Sequence, residues 1–528
     1  MSSLEVTHGN LLEAFAATDQ GAPFLLYRDG PALNRGELDG RARSLAVALS
    51  ERHIGRGDRV GVLLQNDPQF VIALFALWHL GATAVSISPL NRPSEINHLL
   101  ALSKAECLIA DDTLWQAMGR QISPAPRAVI TTSPLDFATA SGILEGREKL
   151  RTPGTEDLLE LCQAYIGESP PPHPIHALDT AVLTCTSGTT GPAKGARNTH
   201  ANLLAAGGVY RAVTDVSSDD VIGGFAPLFH VTGLSGHLAL SVLTGAPLVL
   251  NHRFDANEVL AAIENHQVTF TVASITALTA LAQSPELAHH DLSSLTRIYS
   301  GGQPVPSSSA ERVRAALGSP VHLAYGMTET TAPTHLVPFG SSPRTGLNGA
   351  LSVGPPVPGL TSVIVDALDM PVATGEAGEI CVNGPTVVPG YHEDPRESAL
   401  AFRGGHLHTG DVGYVDNDGW LYVVDRIKDQ INASGYKVWP TEVEEVLVGH
   451  PGVHEAAVIG VPDEYRGESV KAFVSPMPGV TLEPDEVQSW ARQRLAAYKY
   501  PREVVVMDEL PKSATGKILR RSLRETAS

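Results

Sequence analysis

Apolar and polar positions alternate between helical and strand-like spacing along the first 160 residues. Four segments follow one another as helix, strand, helix and strand, at residues 36–53, 58–64, 68–80 and 82–87. A second series of this kind contains strand-like apolar runs at residues 182–186, 247–250 and 297–300. Because strands that alternate with helices tend to form parallel sheets covered on both faces, the pattern predicts a doubly wound α/β fold.

The pattern changes twice in the last third of the chain. From about residue 348, short β-type segments lie between Gly, Pro and Asp turns and predict a small β-rich subdomain. After residue 424, the order helix, strand, helix and strand predicts a compact α+β unit. We therefore predict an N-terminal part at 1–424, with α/β subdomains at about 1–175 and 176–347 and a β-rich subdomain at 348–424, and a C-terminal domain at 425–528.

Composition excludes several classes of protein. The 528 residues are 43% hydrophobic and 18% charged, which excludes a disordered or fibrous chain. There are 38 Lys and Arg against 57 Asp and Glu, so the net charge is −19. This acidity argues against general binding to nucleic acid or to anionic membranes. Salt screens charges over about 8 Å, so a local basic pocket for an anionic ligand is still possible.

The cysteines and the apolar runs indicate a cytoplasmic protein. Four cysteines occur without a Cys-x-x-Cys pair, so we expect neither a disulfide framework nor a zinc ribbon. The first ten residues lack the basic and apolar regions of a signal peptide, and none is expected. The most apolar stretch, Phe70 to Trp78, is too short to cross about 30 Å of hydrocarbon and predicts a buried helix.

The segment LTCTSGTTGPAKG, residues 183–195, is rich in groups that bind phosphate. Its glycines let backbone N–H groups converge, its hydroxyls add donors, and its lysine adds a positive charge. It is not a Walker loop, because Ala193 stands where that motif, counted from Gly188, requires its second glycine. The spacing alone would also fit a flexible surface loop.

Together with this loop, four further segments resemble the motifs of the ANL superfamily of adenylate-forming enzymes. They are YGMTET at 325–330, HTGD at 408–411, DRIKDQINASGYKVWP at 425–440 and PKSATGKILR at 511–520, in the family's order. The superfamily comprises acyl-CoA synthetases, adenylation domains of peptide synthetases and firefly luciferases. The resemblance implies a small C-terminal domain that moves, and an enzyme that activates a carboxylic acid with ATP to acyl-AMP, with release of pyrophosphate.

The resemblance also implies which residues bind the nucleotide. Around the β- and γ-phosphates it places Thr186, Ser187, Gly188, Thr189, Thr190, Gly191 and Lys194. Near the adenine it places Gly302, Gln303, Tyr325 and Gly326. Thr328 would contact the α-phosphate and Glu329 would hold Mg²⁺, an ion that prefers carboxylate and phosphate oxygens. Asp411 would accept hydrogen bonds from both ribose hydroxyls, with Arg426 on the other side.

Four more residues are carried over from the family. Lys517 would bridge the substrate carboxylate and the α-phosphate. Lys428 falls at the hinge about which the C-terminal domain turns for the second half-reaction, and Gly435 would then face the pantetheine channel. His230 is similar to the pocket histidine of fatty-acyl and coumarate–CoA ligases.

The acid predicted from the sequence is neutral and mostly apolar. Adenylation domains for α-amino acids carry an Asp at the position of His230, so an α-amino acid is disfavoured. Residues 271–285 are small or apolar and include no arginine, which disfavours a dicarboxylate. A fatty, aryl or polycyclic acid fits this composition. Ile275 departs from the family, in which a proline is common there.

The acceptor predicted from the sequence is CoA. Residues 425–447 most resemble bacterial medium- and long-chain fatty-acid–CoA ligases. The alternative is a stand-alone enzyme that loads an acyl carrier protein. A non-catalytic protein is disfavoured because Glu329, Asp411, Arg426 and Lys517 are all present, and nothing specific indicates a light-emitting oxygenase. Because most soluble oligomers are dimers, a homodimer is the expectation.

Overall fold

The computed structural model describes residues 8–186, 193–346, 350–433, 436–463, 466–513 and 516–527. The part of the chain up to residue 199 contains α1 (Leu11–Ala16), β1 (Pro23–Tyr27), β2 (Leu33–Asn34), α2 (Arg35–Glu51), β3 (Arg59–Leu63), α3 (Pro68–His79), β4 (Thr83–Ser86), α4 (Pro93–Ser103), β5 (Cys107–Asp111), α5 (Asp112–Met118), β6 (Ala128–Thr132), β7 (Glu156–Asp157), α6 (Leu158–Ala164), β8 (Thr180–Cys185) and β9 (Gly195–Thr199). Seven of these strands form one sheet in the order β7-β6-β5-β3-β4-β8-β9, parallel except for β9.

The next elements after residue 199 form, together with β1 and β2, a second, mostly parallel sheet. Its elements are α7 (His200–Thr214), β10 (Ile222–Gly224), α8 (Val231–Gly233), α9 (Leu240–Thr244), β11 (Leu248–Leu250), α10 (Ala256–His266), β12 (Phe270–Ala273), α11 (Ile275–Gln283), β13 (Arg297–Gly301), α12 (Ser307–Leu317), β14 (Val321–Tyr325) and β15 (His335–Leu336). The strand order is β15-β14-β13-β12-β10-β11-β1-β2, with the two edge strands β15 and β2 antiparallel to their neighbours.

The two sheets do not divide at the predicted boundary between residues 175 and 176. Strands β1 and β2 join the second sheet, whereas β8 and β9 join the first. Each sheet therefore takes strands from both sides of that boundary, and the subdomains at 1–175 and 176–347 need this correction. Periodicity shows where a strand lies along the chain, but pairing partners depend on long-range packing that a local pattern does not report.

Helix α3 is buried among the elements of the N-terminal part. Every residue from Pro68 to Trp78 is buried, as the uniformly apolar sequence predicts. One hydrophobic core contains α3 together with residues of both sheets. Among the described residues, no helix is both long enough and apolar enough to cross a membrane.

The last third of the chain has the predicted change in structure. An antiparallel sheet in the order β16-β17-β18-β19 consists of β16 (Thr361–Val365), β17 (Gly378–Asn383), β18 (Leu407–Val415) and β19 (Leu421–Arg426), with α13 (Pro395–Ala401) before β18. Strand β19 continues two residues past the predicted boundary at 424, because Arg426 still pairs with Asp411 of β18.

The C-terminal part forms a separate α+β unit. It consists of β20 (Ile431–Ala433), β21 (Tyr436–Val438), α14 (Pro440–Val448), β22 (Val453–Asp463), β23 (Gly467–Pro476), α15 (Pro484–Arg494), β24 (Glu503–Val506) and α16 (Arg520–Ala527). Strands β21, β20, β23 and β22 pair in that order, and β24 adds to β23 in parallel. This unit has hydrophobic clusters of its own, and the 3₁₀ turn Ile427–Asp429 connects it to β19.

Candidate active site

A cavity of about 1860 Å³ lies where the second sheet, the antiparallel sheet and the C-terminal unit meet. It adjoins the carboxyl ends of β12, β13 and β14, which is where open α/β sheets bind ligands. All the predicted site residues that the structure describes line this cavity: Thr186, Lys194, His230, Gly302, Gln303, Tyr325, Gly326, Thr328, Glu329, Asp411, Arg426, Lys428 and Lys517. Ser187, Gly188, Thr189, Thr190, Gly191 and Gly435 lie outside the described residues.

The predicted ribose-binding carboxylate is fixed by two neighbours. The Tyr325 hydroxyl donates to Asp411 Oδ2 at 2.8 Å, and Arg426 Nε lies 3.1 Å from Asp411 Oδ1. Burial, and next the Asp411 charge, raise the pKa of Tyr325 well above its ordinary value, so its hydroxyl stays a donor. The pairing of β18 with β19 places Arg426 directly opposite Asp411. A carboxylate held in this way presents a fixed acceptor to a polar ligand.

A second carboxylate holds the bend that strand β18 makes at Gly410, and this bend is the turn before Asp411. Glu379 Oε1 accepts from Gly410 N at 3.0 Å, and Glu379 Oε2 lies 2.9 Å from Nδ1 of His408. Gly410 has a φ of +72°, a conformation that favours glycine. Glu379 therefore fixes the backbone on which Asp411 lies.

The predicted metal-binding carboxylate is buried and, within the described part of the chain, has one hydrogen-bond partner. Glu329 Oε1 accepts from the Tyr391 hydroxyl at 2.8 Å. Burial raises the pKa of Glu329, and the Tyr391 hydrogen bond and the charge of Lys194 partly oppose this shift. Among the described residues, no hydrogen bond to the second carboxylate oxygen is present. Thr328 and Glu329 lie in one 3₁₀ turn, Thr328–Thr330, and both line the cavity wall.

The predicted phosphate-binding lysine lies at the base of its loop. Thr186 N donates to Lys194 O at 2.8 Å, which closes the loop between β8 and β9. Lys194 Nζ lies 2.5 Å from Glu397 Oε2 and 5.0 Å from the centre of the Tyr391 ring. The ammonium is therefore held by a carboxylate and an aromatic face at the entrance to the site.

The predicted adenine segment carries two glycines, of which Gly302 is exposed and Gly326 is closely packed. Gly302 has a φ of +84°, and a Cβ on Gly326 would approach the backbone of Ala332 and Pro333 to 3.0 Å. Gln303 Nε2 donates to Thr276 Oγ1 at 3.0 Å. These two glycines keep side chains away from the wall that the nucleotide base would contact.

Lys517 reaches the cavity from the C-terminal unit. Burial lowers its pKa to about 8, and the charge of Arg426 adds to that effect. Burial, and next the charge of Lys517, lower the pKa of His230 to about 4, so this imidazole is neutral at pH 7. Because Thr232 N donates to His230 Nδ1 at 3.4 Å, the ring proton is assigned to Nε2. A lysine ammonium and a neutral imidazole donor therefore lie in the same cavity.

Comparisons with known proteins agree with this geometry. The family described as AMP-binding enzyme matches residues 12–392, and its C-terminal domain matches residues 442–517. The chain belongs to the AMP-binding enzyme family. This membership confirms the resemblance to adenylate-forming enzymes on which the site residues were predicted.

Two curated relatives and one solved structure show how far the similarity extends. The chain is 35% identical to a long-chain-fatty-acid–CoA ligase of Bacillus subtilis, over 92% of this chain and 88% of the relative. It is 37% identical to a feruloyl-CoA synthase of an Amycolatopsis species, over 94% of each chain. The anthranilate CoA ligase AuaEII, solved with anthranoyl-AMP, superposes with a TM-score of 0.88 at 27% identity and covers 98% of this AMP-binding enzyme and 97% of that chain.

Sequence reasoning missed two residues that hold this candidate site together. Tyr391 connects Glu329 with Lys194, and Glu379 holds the turn before Asp411. In the sequence, Tyr391 is marked only by Gly390 directly before it and by the Pro and Val residues before that glycine. Glu379 lies in strand β17, where the pattern of apolar and polar residues does not distinguish it. Its contact with Gly410 is visible only from the pairing of β17 with β18.

Proposed function

We propose that this protein is an acyl-CoA synthetase. It activates a neutral, mostly apolar carboxylic acid with ATP to acyl-AMP and pyrophosphate, then transfers the acyl group to the thiol of CoA with release of AMP. The observation that carries the proposal is the meeting of Lys517 with Tyr325, Glu329 and Asp411 in one cavity, although they come from distant parts of the chain. The CoA-ligase activities of the relatives support it.

In the first step a carboxylate oxygen of the acid attacks the α-phosphorus, and the bond to the pyrophosphate oxygen breaks. Negative charge increases on the α-phosphoryl oxygens and on the leaving pyrophosphate. Lys517 would neutralise the charge beside the α-phosphate, and Lys194 the charge on the departing phosphates. Asp411 and Tyr325 would hold the ribose and the adenine, which fixes the α-phosphorus relative to the acid.

The site also fits Mg²⁺. Glu329 provides a buried carboxylate, and its second oxygen has no hydrogen-bond partner among the residues that the structure describes, so this hard ion could accept it as a ligand. When bound, Mg²⁺ would neutralise charge on the phosphate oxygens. Tyr391 holds the carboxylate in a fixed orientation toward the cavity.

The chemistry of the wall supports a neutral acid. Strand β12 and helix α11 contribute Val272, Ala273, Ile275, Ala277 and Ala280 to the cavity. Neutral His230 adds one hydrogen-bond donor without a charge. An acid with a second ionised group would gain no opposite charge from this wall and would lose hydration, which is costly.

The deciding experiment is mass spectrometry of products from ATP, Mg²⁺ and a panel of fatty, aryl, polycyclic, amino and dicarboxylic acids, each with and without CoA. We expect acyl-CoA, AMP and pyrophosphate from one of the neutral apolar classes. Acyl-adenylate that persists despite CoA would favour the alternative, transfer to an acyl carrier protein. No adenylate from any acid would contradict the proposal. A homodimer and a cytoplasmic location stay predictions.

A further inference from the structure

Helix α12 begins without a side-chain cap of its own. Its N-cap residue is Pro306, which makes no capping hydrogen bond. Glu445 of α14 lies at this helix end instead: its Oε1 accepts from Ser307 N at 2.9 Å and from Ser307 Oγ at 2.5 Å. The first N–H groups of a helix have no intrahelical acceptor and carry partial positive charge. A carboxylate of the C-terminal unit thus completes a helix of the N-terminal part.

Helix α14 is also tied to the turn that carries Lys517. The residue next to Glu445, Glu444, pairs with Arg520 at 2.7 Å. Within the turn, Ser513 N donates to Lys517 O at 2.8 Å. The Glu444–Arg520 pair therefore ties α14 to the segment that follows Lys517.

A second contact attaches this turn to the N-terminal part. Thr276 Oγ1 donates to Gly516 O at 3.1 Å, directly beside Lys517. Gln303, four residues before Ser307, donates to the same Thr276 hydroxyl at 3.0 Å. The segment from Gln303 to Ser307 therefore contacts the C-terminal unit at two points. Ser307 contacts Glu445, and Gln303 contacts Thr276, which in turn contacts Gly516 beside Lys517.

We infer that Glu445 is a positioning residue for the adenylation step, because its cap on α12 holds the C-terminal unit where Lys517 enters the cavity. The inference rests on the proposed function. Glu445 lines the same cavity, and we assign its role to the contact of its carboxylate with Ser307, through which it acts on the position of α14. Transfer of the acyl group to CoA does not use Lys517 and therefore does not need the contact between Glu445 and Ser307. Adenylation and acyl transfer thus depend on Glu445 to different extents.

The test compares the half-reactions in Glu445→Ala. ATP–pyrophosphate exchange with the best acid is expected to fall about tenfold, because a charge-assisted contact is lost. Thioester formation from supplied acyl-adenylate and CoA is expected to stay at the wild-type rate or to rise. Glu445→Gln keeps an oxygen acceptor for Ser307 and should recover most of the exchange activity.

Glu442→Ala is the matched control. Glu442 lies one turn earlier on α14 and pairs with Lys499 of the same C-terminal unit at 2.6 Å, so its loss should not alter the ratio of the two rates. Equal losses of both half-reactions in Glu445→Ala, or wild-type rates of both, would overturn the role of Glu445. Wild-type protein that forms no adenylate would instead overturn the proposed function, so the two failures are distinguishable.

Discussion

Lys517 lies in the cavity and has a lowered pKa. Burial is the main cause of the lowered pKa, and the charge of Arg426 is the second. Its pKa of about 8 still leaves the ammonium mostly protonated at pH 7. The same side chain on an exposed helix would be an ordinary surface charge. Its role in the proposed chemistry therefore depends on where the C-terminal unit places it.

Replacement of this side chain should separate the two half-reactions. In Lys517→Ala, adenylation is expected to slow by about 3–4 kcal/mol, or roughly 10²- to 10³-fold, because charge on the α-phosphate loses its counter-charge. Thiolation of a supplied acyl-adenylate should be largely intact, as measured by acyl-CoA formation. Arg492→Ala removes an exposed charge of α15 that does not line the cavity and should leave both rates near wild type. Equal loss in both half-reactions would contradict this division.

The pH dependence of adenylation should show the lowered pKa of Lys517. Since the protonated ammonium is the active form, kcat/KM of the free enzyme is expected to fall as pH rises through about 8. The measurement is pyrophosphate exchange between about pH 6 and pH 10. In Lys517→Arg the fall should move to higher pH, because the guanidinium keeps its proton. An unchanged profile in that variant would assign the fall to another group.

At the scale of elements, strands β17 and β18 together build the ribose side of the site. Their register shifts between Glu379 and Cys381, next to the turn that contains Gly410. Glu379 then accepts the hydrogen bond from Gly410 that fixes the turn before Asp411. The local pattern predicts both strands, but the register between them is a property of the sheet.

Removal of this support should weaken ATP binding. In Glu379→Ala, KM for ATP is expected to rise about tenfold with a smaller change in kcat, because a hydrogen bond to a charged group is lost. Initial rates over a range of ATP concentrations provide the measurement. The control is Glu376→Ala, which removes a carboxylate that accepts from Ala373 N in the preceding turn at 3.3 Å. A fall in kcat at unchanged KM would show that Glu379 does not act through the ribose turn.

On the scale of the whole molecule, one short link joins two units with separate cores. Ile427–Asp429 is a single 3₁₀ turn, and Lys428 in it is exposed. Neighbouring Arg426 is held against Asp411 at 3.1 Å. Ile427 and Lys428 are exposed, whereas Asp429 is buried and pairs with Arg524 at 2.7 Å, so local opening costs least on the Ile427–Lys428 side of the link.

Limited trypsin digestion should therefore cut early after Lys428 and release the N-terminal part and the C-terminal unit. Mass spectrometry of the first fragments measures the site. Lys428→Gln should remove this cut, while cleavage after Arg426 should stay slow in both proteins. First cleavage inside β22 or β23 would contradict the assignment of this link.

Patterns and motifs in the sequence predict several of the elements, the family and the types of residue in the site. Strands such as β3 and β4 and the buried helix α3 follow from apolar patterns that are local, and the motifs stand in order along the chain. Tertiary structure alone decided which sheet β1 and β8 join and that Tyr391 connects Glu329 with Lys194. It also decided that Glu445 caps α12. The physical reason is that pairing and capping across distant segments depend on the folded packing of the whole chain, which no window of residues contains.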